Sequence, residues 1–497
     1  MKNYPKLVRR DLSFVLSNDA LTQSLESLNS TLNEDVEFGS KSSPEAGFEI
    51  ADGWHFYAHL VLSGALLKSE ESADAMRVAK IYQTYTRAAR KAISATGDDH
   101  ISLLEHQGVL LHFFLDFQRN DASAVIAFAR ALAASVRKSI FTDKGDDVVS
   151  FRMASEFGRS VIVKVPSATG QTSTFSRVSI GPCANDPAKK LLGGPDADPP
   201  AAWHLAYRDS DAKSGTWADA DCASIEAGVE MLKESACINY SINAQIDFIA
   251  DVPPEQPDQY NGFVFRADLD GFTERVRAAF ASNDETRPIE VAQELADFIY
   301  DFNDWQAWDN AFIGHKIIPF PWAGDCCNMV IYPVDSRGNK QGKLTKEEFN
   351  QLPPSTISSW KDFLAAANKR DGFGSWSFGM AAGNIKIFSV SVDGVDYRLM
   401  TGWPVGVSQE GVNLDGTEAG DLVMHNDDIN EMDDYASGSF KPFVDQAGRH
   451  KHPEYKRQND AGRNKVVRDM ARIAAQTEES HGHHVPPTMP HSSIESR

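Results

Sequence analysis

Two aspartates stand out by position. Asp268 closes the apolar stretch of NGFVFRADLDGFT, and Asp325 follows Gly324 in IIPFPWAGDCCNMVIYP. The first segment reads as a strand that ends in a carboxylate and runs into a helix start. The second reads as strand, tight Gly-Asp turn, strand. In a fold that sets the strand end beside the turn, the two carboxylates come together. Like charges that close repel unless a cation lies between them. Carboxylate oxygens are hard ligands, suited to Mg2+ or Mn2+. Two such ions can activate a hydroxyl and clamp a triphosphate for in-line displacement. Taken singly, each residue has a plainer role: Asp268 as a helix cap, Gly-Asp as an ordinary turn.

The surrounding elements decide between these readings. After FRADLDGFT comes a helical stretch containing IEVAQELADFIYDF, then the Gly-Asp hairpin, then the helix SSWKDFLAAANKR, then the strands SWSFGMAAG and IKIFSVSVDG. This βαββαβ order is that of a ferredoxin-like palm. The N-terminal half repeats it. GFEIADGWHFYAHL reads as strand then helix with Asp52 at the junction, AMRVAKIYQTYTRAARKAI as a helix, ISLLEHQGVLLHFFLDF as a hairpin, DASAVIAFARALAASVRKSI as a helix, and VVSFRMASEFGRSVIVKV as a strand pair. Asp268 and Asp325 are 57 residues apart, and Asp52 and Gln107 are 55 apart. The expected fold is α+β, with two palms in tandem. Residues 1–45 read as a helical lead-in, 46–194 and 259–433 as the palms, 195–258 as a linker with a short helix and strand, and 434–497 as a basic, partly disordered tail.

Composition limits the function classes. The chain has 497 residues, 42% hydrophobic and 24% charged, enough for two or three soluble domains. A net charge of −21 argues against nucleic acid as a partner. No apolar run is long enough to span a bilayer, and no signal peptide is evident, so the expected location is cytoplasmic. Cys183, Cys222, Cys237, Cys326 and Cys327 are odd in number and contain no CxxC, which reads as reduced thiols. The HGHH at 481–484 lies in a Pro/Ser-rich tail and reads as solvated rather than as a metal site.

FRADLDGFT and WAGDCCNMVIY resemble the metal-binding strand and Gly-Asp hairpin of class III nucleotide cyclases, the adenylate/guanylate cyclase family. The resemblance covers roughly residues 46–194 and 259–433 and is stronger in the second copy. It implies one active site between two palms, here an intramolecular pseudo-heterodimer. One palm supplies two metal aspartates, Asp268 and Asp325, with the Leu269 carbonyl as a further ligand. The other supplies an Asn and, four residues on, an Arg. In SIGPCANDPAKKLL these positions fall on Asn185 and Lys189, with Lys190 adjacent. In the second copy they fall on Gly406 and Glu410. The first copy keeps Asp52 but has Gln107 at the second metal position. The losses are therefore complementary and leave one working site. Arg152, whose counterpart is Ser377, matches a further phosphate-binding Arg.

The same resemblance implies cyclisation of a nucleoside triphosphate to a 3′,5′-cyclic monophosphate with two Mg2+ or Mn2+ ions. The family's adenine-reading Lys/Asp pair is absent, since Leu103 and Val178 or Ser179 stand there. In this departure the chain resembles diverged bacterial pyrimidine cyclases of antiphage signalling. Such a product is read by a separate cyclic-nucleotide-binding effector. With both palms in one chain, a monomer suffices. The competing expectation is a catalytically dead nucleotide sensor or scaffold.

Overall fold

The computed structural model describes residues 48–223 and 258–480, except 97–99, 142–147, 167–174, 193–197, 210–215, 310–314, 367–374, 393–394 and some single positions. The HGHH motif, Cys237 and the lead-in lie outside the described residues.

The first half opens with β1 (Phe48–Leu62), a single 15-residue strand rather than a strand followed by a helix. Its side chains alternate as a strand requires. Trp54, Phe56, Ala58 and Leu60 enter the core, while His55, Tyr57 and His59 face the other way. Gly53 does not break it. The bare backbone there makes room for Phe114, whose Cζ would lie 2.4 Å from an added Cβ. There follow α1 (Ser72–Thr96), β2 (Ile101–His106), β3 (Leu110–Leu115), α2 (Ala122–Val136), β4 (Val148–Pro166), β5 (Phe175–Ile180), α3 (Pro182–Leu192), β6 (His204–Asp209) and β7 (Ala218–Asp221). The second half has β8 (Asp258–Leu269), α4 (Phe272–Ala281), α5 (Arg287–Asp309), β9 (His315–Pro319), β10 (Cys326–Pro333), α6 (Lys346–Ala366), β11 (Trp376–Val392), β12 (Val395–Thr401), α7 (Trp403–Val412), β13 (Leu422–His425), β14 (Lys441–Pro442), β15 (Tyr455–Gln458) and α8 (Asp460–Ser480).

The two sheets share one plan. The first has the order β2-β3-β1-β4-β6-β7 with β5 on β4; the second has β9-β10-β8-β11-β13-β15-β14 with β12 on β11. The first sheet therefore continues past residue 194 through β6 and β7, and the second past residue 433 through β15. The segments expected as a strand pair in each copy are instead single long strands, β4 and β11. Gly383, at φ 147°, lies in mid-strand and keeps the β11 ladder with β8 intact on both sides.

These long strands and their partners form arms that cross between the palms. Val161, Val163, Val178 and Ile180 of the β4–β5 arm belong to the core of the second palm, with Phe263, Phe265 and Phe302. Phe388 and Leu399 of the β11–β12 arm belong to the core of the first, where the Phe388 ring lies 5.8 Å from that of Tyr82. Burying a large apolar side chain stabilises by about 1.5–3 kcal/mol. The reciprocal exchange thus fixes how the palms face each other. Among the described residues, Cys183, Cys222, Cys326 and Cys327 are free thiols, and no helix is long and apolar enough to cross a membrane.

Candidate active site

The strand β8 carries Asp268 at its penultimate position, and β10 starts immediately after Asp325. In the ladder Asp268 pairs with Cys326, and the Leu269 amide donates to the Asp325 carbonyl at 3.3 Å. The two aspartates are therefore lateral neighbours. Gly324 makes the turn with φ at 60°, a conformation that costs glycine little. Gly271, also left-handed with φ at 76°, turns the chain from Asp270 into α4. Asp270 accepts from the Ser377 hydroxyl at 2.8 Å and so holds this corner.

Both carboxylates are desolvated and repel each other. Burial and the neighbouring Asp270 push Asp268 up to about 6. Burial and Asp268 push Asp325 up to about 8. Lys189 is the group from the other palm that lowers both. A site that penalises two adjacent anions to this degree fits a divalent cation. The donor set fits Mg2+ or Mn2+: two carboxylates and the Leu269 carbonyl, all oxygen. Among the described residues no group of three or more His, Cys, Asp or Glu converges as a closed cage.

The facing wall is α3. Pro182 at its first turn needs no amide partner, and Gly181 lets the helix lie against β4, since an added Cβ would meet the Arg159 carbonyl at 2.9 Å. Asn185 and Lys189 are one turn apart on this helix and share a face. The Lys189 ammonium donates to the Thr273 hydroxyl at 3.2 Å across the palm boundary. Asp186 fixes the helix from both sides, accepting from Arg208 at 2.5 Å and from Arg277 of the second palm at 2.7 Å. Lys190 points elsewhere and donates to the Asp198 carbonyl.

Three expectations need correction. Asp52 is not the counterpart of Asp268. It lies in mid-strand, exposed, and pairs with Arg159 at 3.1 Å. The true counterpart is His59. The Leu60 amide donates to the Val109 carbonyl as the Leu269 amide donates to the Asp325 carbonyl, and Gly108 (φ 73°) stands where Gly324 does. Hence Val109, not Gln107, occupies the Asp325 position. The first palm has lost both metal carboxylates rather than one. Equal spacing misled because β1 does not end at Asp52.

The third correction is Arg152. It pairs in the ladder with His59 and is the charge acting on that ring. Its counterpart Ser377 pairs with Asp268. Arg152 therefore belongs to the pseudo-symmetric cleft, not to the aspartate site. The shifted register also puts Glu105, rather than Leu103, four residues before the Val109 position. Glu105 is almost buried, with His112 Nδ1 3.5 Å from its carboxylate. The missed signal was the period-two pattern Trp54, Phe56, Ala58, Leu60, which carries the strand beyond Asp52.

No protein-family model matches the chain, and no curated protein matches it. Among solved structures, a class III adenylyl cyclase-like ATP-binding protein from Pseudomonas aeruginosa is similar at 12% identity and a TM-score of 0.58, over 91% of this chain and 99% of that one. The adenylyl cyclase CyaB of P. aeruginosa (15% identity, TM-score 0.28) covers 41% of this chain and 96% of its own. The guanylyl cyclase Cya2 (12% identity, TM-score 0.28) covers 40% and 91%. The full-length overlay shows that this chain has the tandem fold of class III cyclase-like proteins.

Proposed function

We propose that the chain is a nucleotidyl cyclase with one composite site, converting a nucleoside triphosphate to its 3′,5′-cyclic monophosphate and pyrophosphate. The observation that carries this reading is the placement of Lys189 from one palm against the Asp268/Asp325 pair of the other. Asp268, Asp325 and the Leu269 carbonyl would hold two divalent ions, which when bound lower the pKa of the ribose 3′-hydroxyl and neutralise the triphosphate. In the reaction the 3′-oxygen forms a bond to the α-phosphorus. The bond from that phosphorus to the β-bridging oxygen breaks, pyrophosphate leaves, and the hydroxyl proton passes to solvent. Lys189 supplies positive charge to the α-phosphoryl oxygens as they gain charge, and Asn185 orients the ribose.

The base pocket falls on the first palm. The two positions carry Glu105 and Val178 or Ser179, not a Lys/Asp pair, and the Val178 side chain packs in the core of the second palm. The Glu105 carboxylate already accepts from Gln107 Nε2 at 3.2 Å, and its oxygens can accept further from a base N–H. The amino group of cytosine and the N3–H of uracil can both donate to it, so the pyrimidine reading keeps both bases. Incubation with each of the four triphosphates and Mn2+, with products identified by mass, tests this. Turnover of ATP alone would sink the pyrimidine reading.

A second reading is binding without turnover. It is favoured by Lys189 standing where an Arg is expected, because an ammonium lacks the bidentate fork. The structural neighbour of full length is itself described as ATP-binding. Metal-dependent nucleotide binding without pyrophosphate release would establish it.

A further inference from the structure

The helix that carries Asn185 and Lys189 is weakened at the turn between them. Pro187 lies inside α3 and has no amide to give the Cys183 carbonyl. The turn that aims Lys189 is therefore short of a helical hydrogen bond and depends on contacts from outside the helix.

Asp186 makes those contacts. Its Oδ2 accepts from Arg208 of β6 at 2.5 Å, and its Oδ1 accepts from Arg277 of α4 at 2.7 Å. Arg208 also donates to Glu156 of β4 at 3.0 Å, and its guanidinium carbon lies 4.4 Å from the Trp217 ring centre. The Glu156 and Asp186 side chains are largely shielded, at 2% and 17% exposure. To this cluster the first palm contributes two carboxylates and one guanidinium. The second guanidinium, Arg277, comes from the other palm. A shielded carboxylate is costly without its partner, so the cluster is balanced when α4 docks on α3.

The contact is matched along both helices. Asp186 and Lys189 are one turn apart on α3, and their partners Arg277 and Thr273 are one turn apart on α4. The α4 helix starts at the Asp270–Gly271 corner, directly after Asp268 and Leu269. One helix thus leads out of the aspartate strand and, within its first two turns, grips α3.

We propose that Arg277 is a positioning residue: through Asp186 it clamps α3 against α4 and so sets the placement of Lys189 against the Asp268/Asp325 pair. The kinetic consequence rests on the cyclase reading above; the clamp itself does not. Arg277 is half exposed, so the pair adds little to stability. Its effect lies in geometry, where a small misplacement of a reacting group is costly.

The test uses the full-length chain and two readouts. Amide hydrogen exchange over α3 reports the clamp directly. Arg277→Ala should speed exchange there by about fivefold or more, with β1 and β4 unchanged and the melting temperature within about 2 °C of wild type. Pyrophosphate release reports the consequence. Arg277→Ala should lower kcat by about tenfold and change KM by less than about twofold. Arg277→Lys should recover most of the loss, and the double variant Asp186→Asn with Arg277→Ala should be no slower than Asp186→Asn alone. Asp186→Asn keeps the size and loses the charge; it should behave as Arg277→Ala does in both readouts, and decides the matter if that variant does not fold. Unchanged exchange in α3 overturns the proposal. So does wild-type kcat in Arg277→Ala, or a loss that Arg277→Lys leaves in full. A wild type that yields no product from any triphosphate sinks the cyclase reading instead, and the exchange result then decides the clamp alone.

Discussion

Replacing Lys189 with Ala isolates what the first palm contributes to the reaction. The ammonium is exposed and its one hydrogen bond, to Thr273, is at the surface. Its removal should therefore change stability by no more than about 0.5 kcal/mol. The kinetic effect should be far larger. Losing one positioned charged donor at a developing oxyanion costs about 10²–10³ in kcat, or about 3–4 kcal/mol. KM should move much less, because the triphosphate is held chiefly at the aspartate side. The assay is the initial rate of pyrophosphate release across substrate concentrations, with a melting curve on each variant. Lys189→Arg should raise kcat above wild type, since the fork restores bidentate contact. A Lys189→Ala variant with wild-type kcat, measured beside an inactive Asp325→Ala, would refute the claim that α3 completes the site.

Other outcomes follow from the same geometry. Asp52→Ala should leave turnover unchanged, because Asp52 forms an exposed pair with Arg159 away from the cleft; loss of activity at a normal melting temperature would restore it as a site residue. Gly53→Ala should destabilise by about 1–3 kcal/mol, as its Cβ meets both Phe114 and the Leu115 carbonyl; chemical denaturation measures this. Phe388→Ala should cost about 3–5 kcal/mol and loosen the palms together, visible as one cooperative transition shifting down rather than two separating. Glu156, raised by burial to about 7, and Asp428, raised by burial to about 7, bind protons more tightly folded than unfolded. Their contribution is complete below the unfolded carboxylate range and is lost as pH rises from about 4.5 to about 7. Glu156→Gln should flatten the fall in stability over that window, and an unchanged pH profile would show that Arg208 already holds Glu156 ionised.

Much of this architecture was legible because its signals are local. The tip position of Asp268 and the Gly324-Asp325 turn depend on a few residues each, and the structure puts them side by side. The Gly181-to-Lys189 segment was equally readable, since Gly, Pro and an apolar helix start mark its beginning. Register was harder. Asp52 looked like a strand end because an acidic residue and Gly53 interrupt the apolar run, yet with Phe114 packed over Gly53 the strand continues to Leu62. That one slip displaced Gln107 and Leu103 as well. The strands β6, β7, β14 and β15 were also missed. They are short, polar at the edges, and defined by the neighbours they pair with rather than by their own pattern. The exchanged arms lie beyond any single-segment reading, because Val161 and Ile180 are core residues of a palm encoded eighty residues later.

The central claim is that one active site is assembled from two palms of a single chain. It is tested most directly by the mass of the product formed from each triphosphate with Mn2+ by wild type, Asp325→Ala and Lys189→Ala. The account predicts a 3′,5′-cyclic monophosphate and pyrophosphate from the wild type, none from Asp325→Ala, and a trace from Lys189→Ala. Undiminished product from Asp325→Ala, or no product from the wild type with any of the four triphosphates, would contradict it.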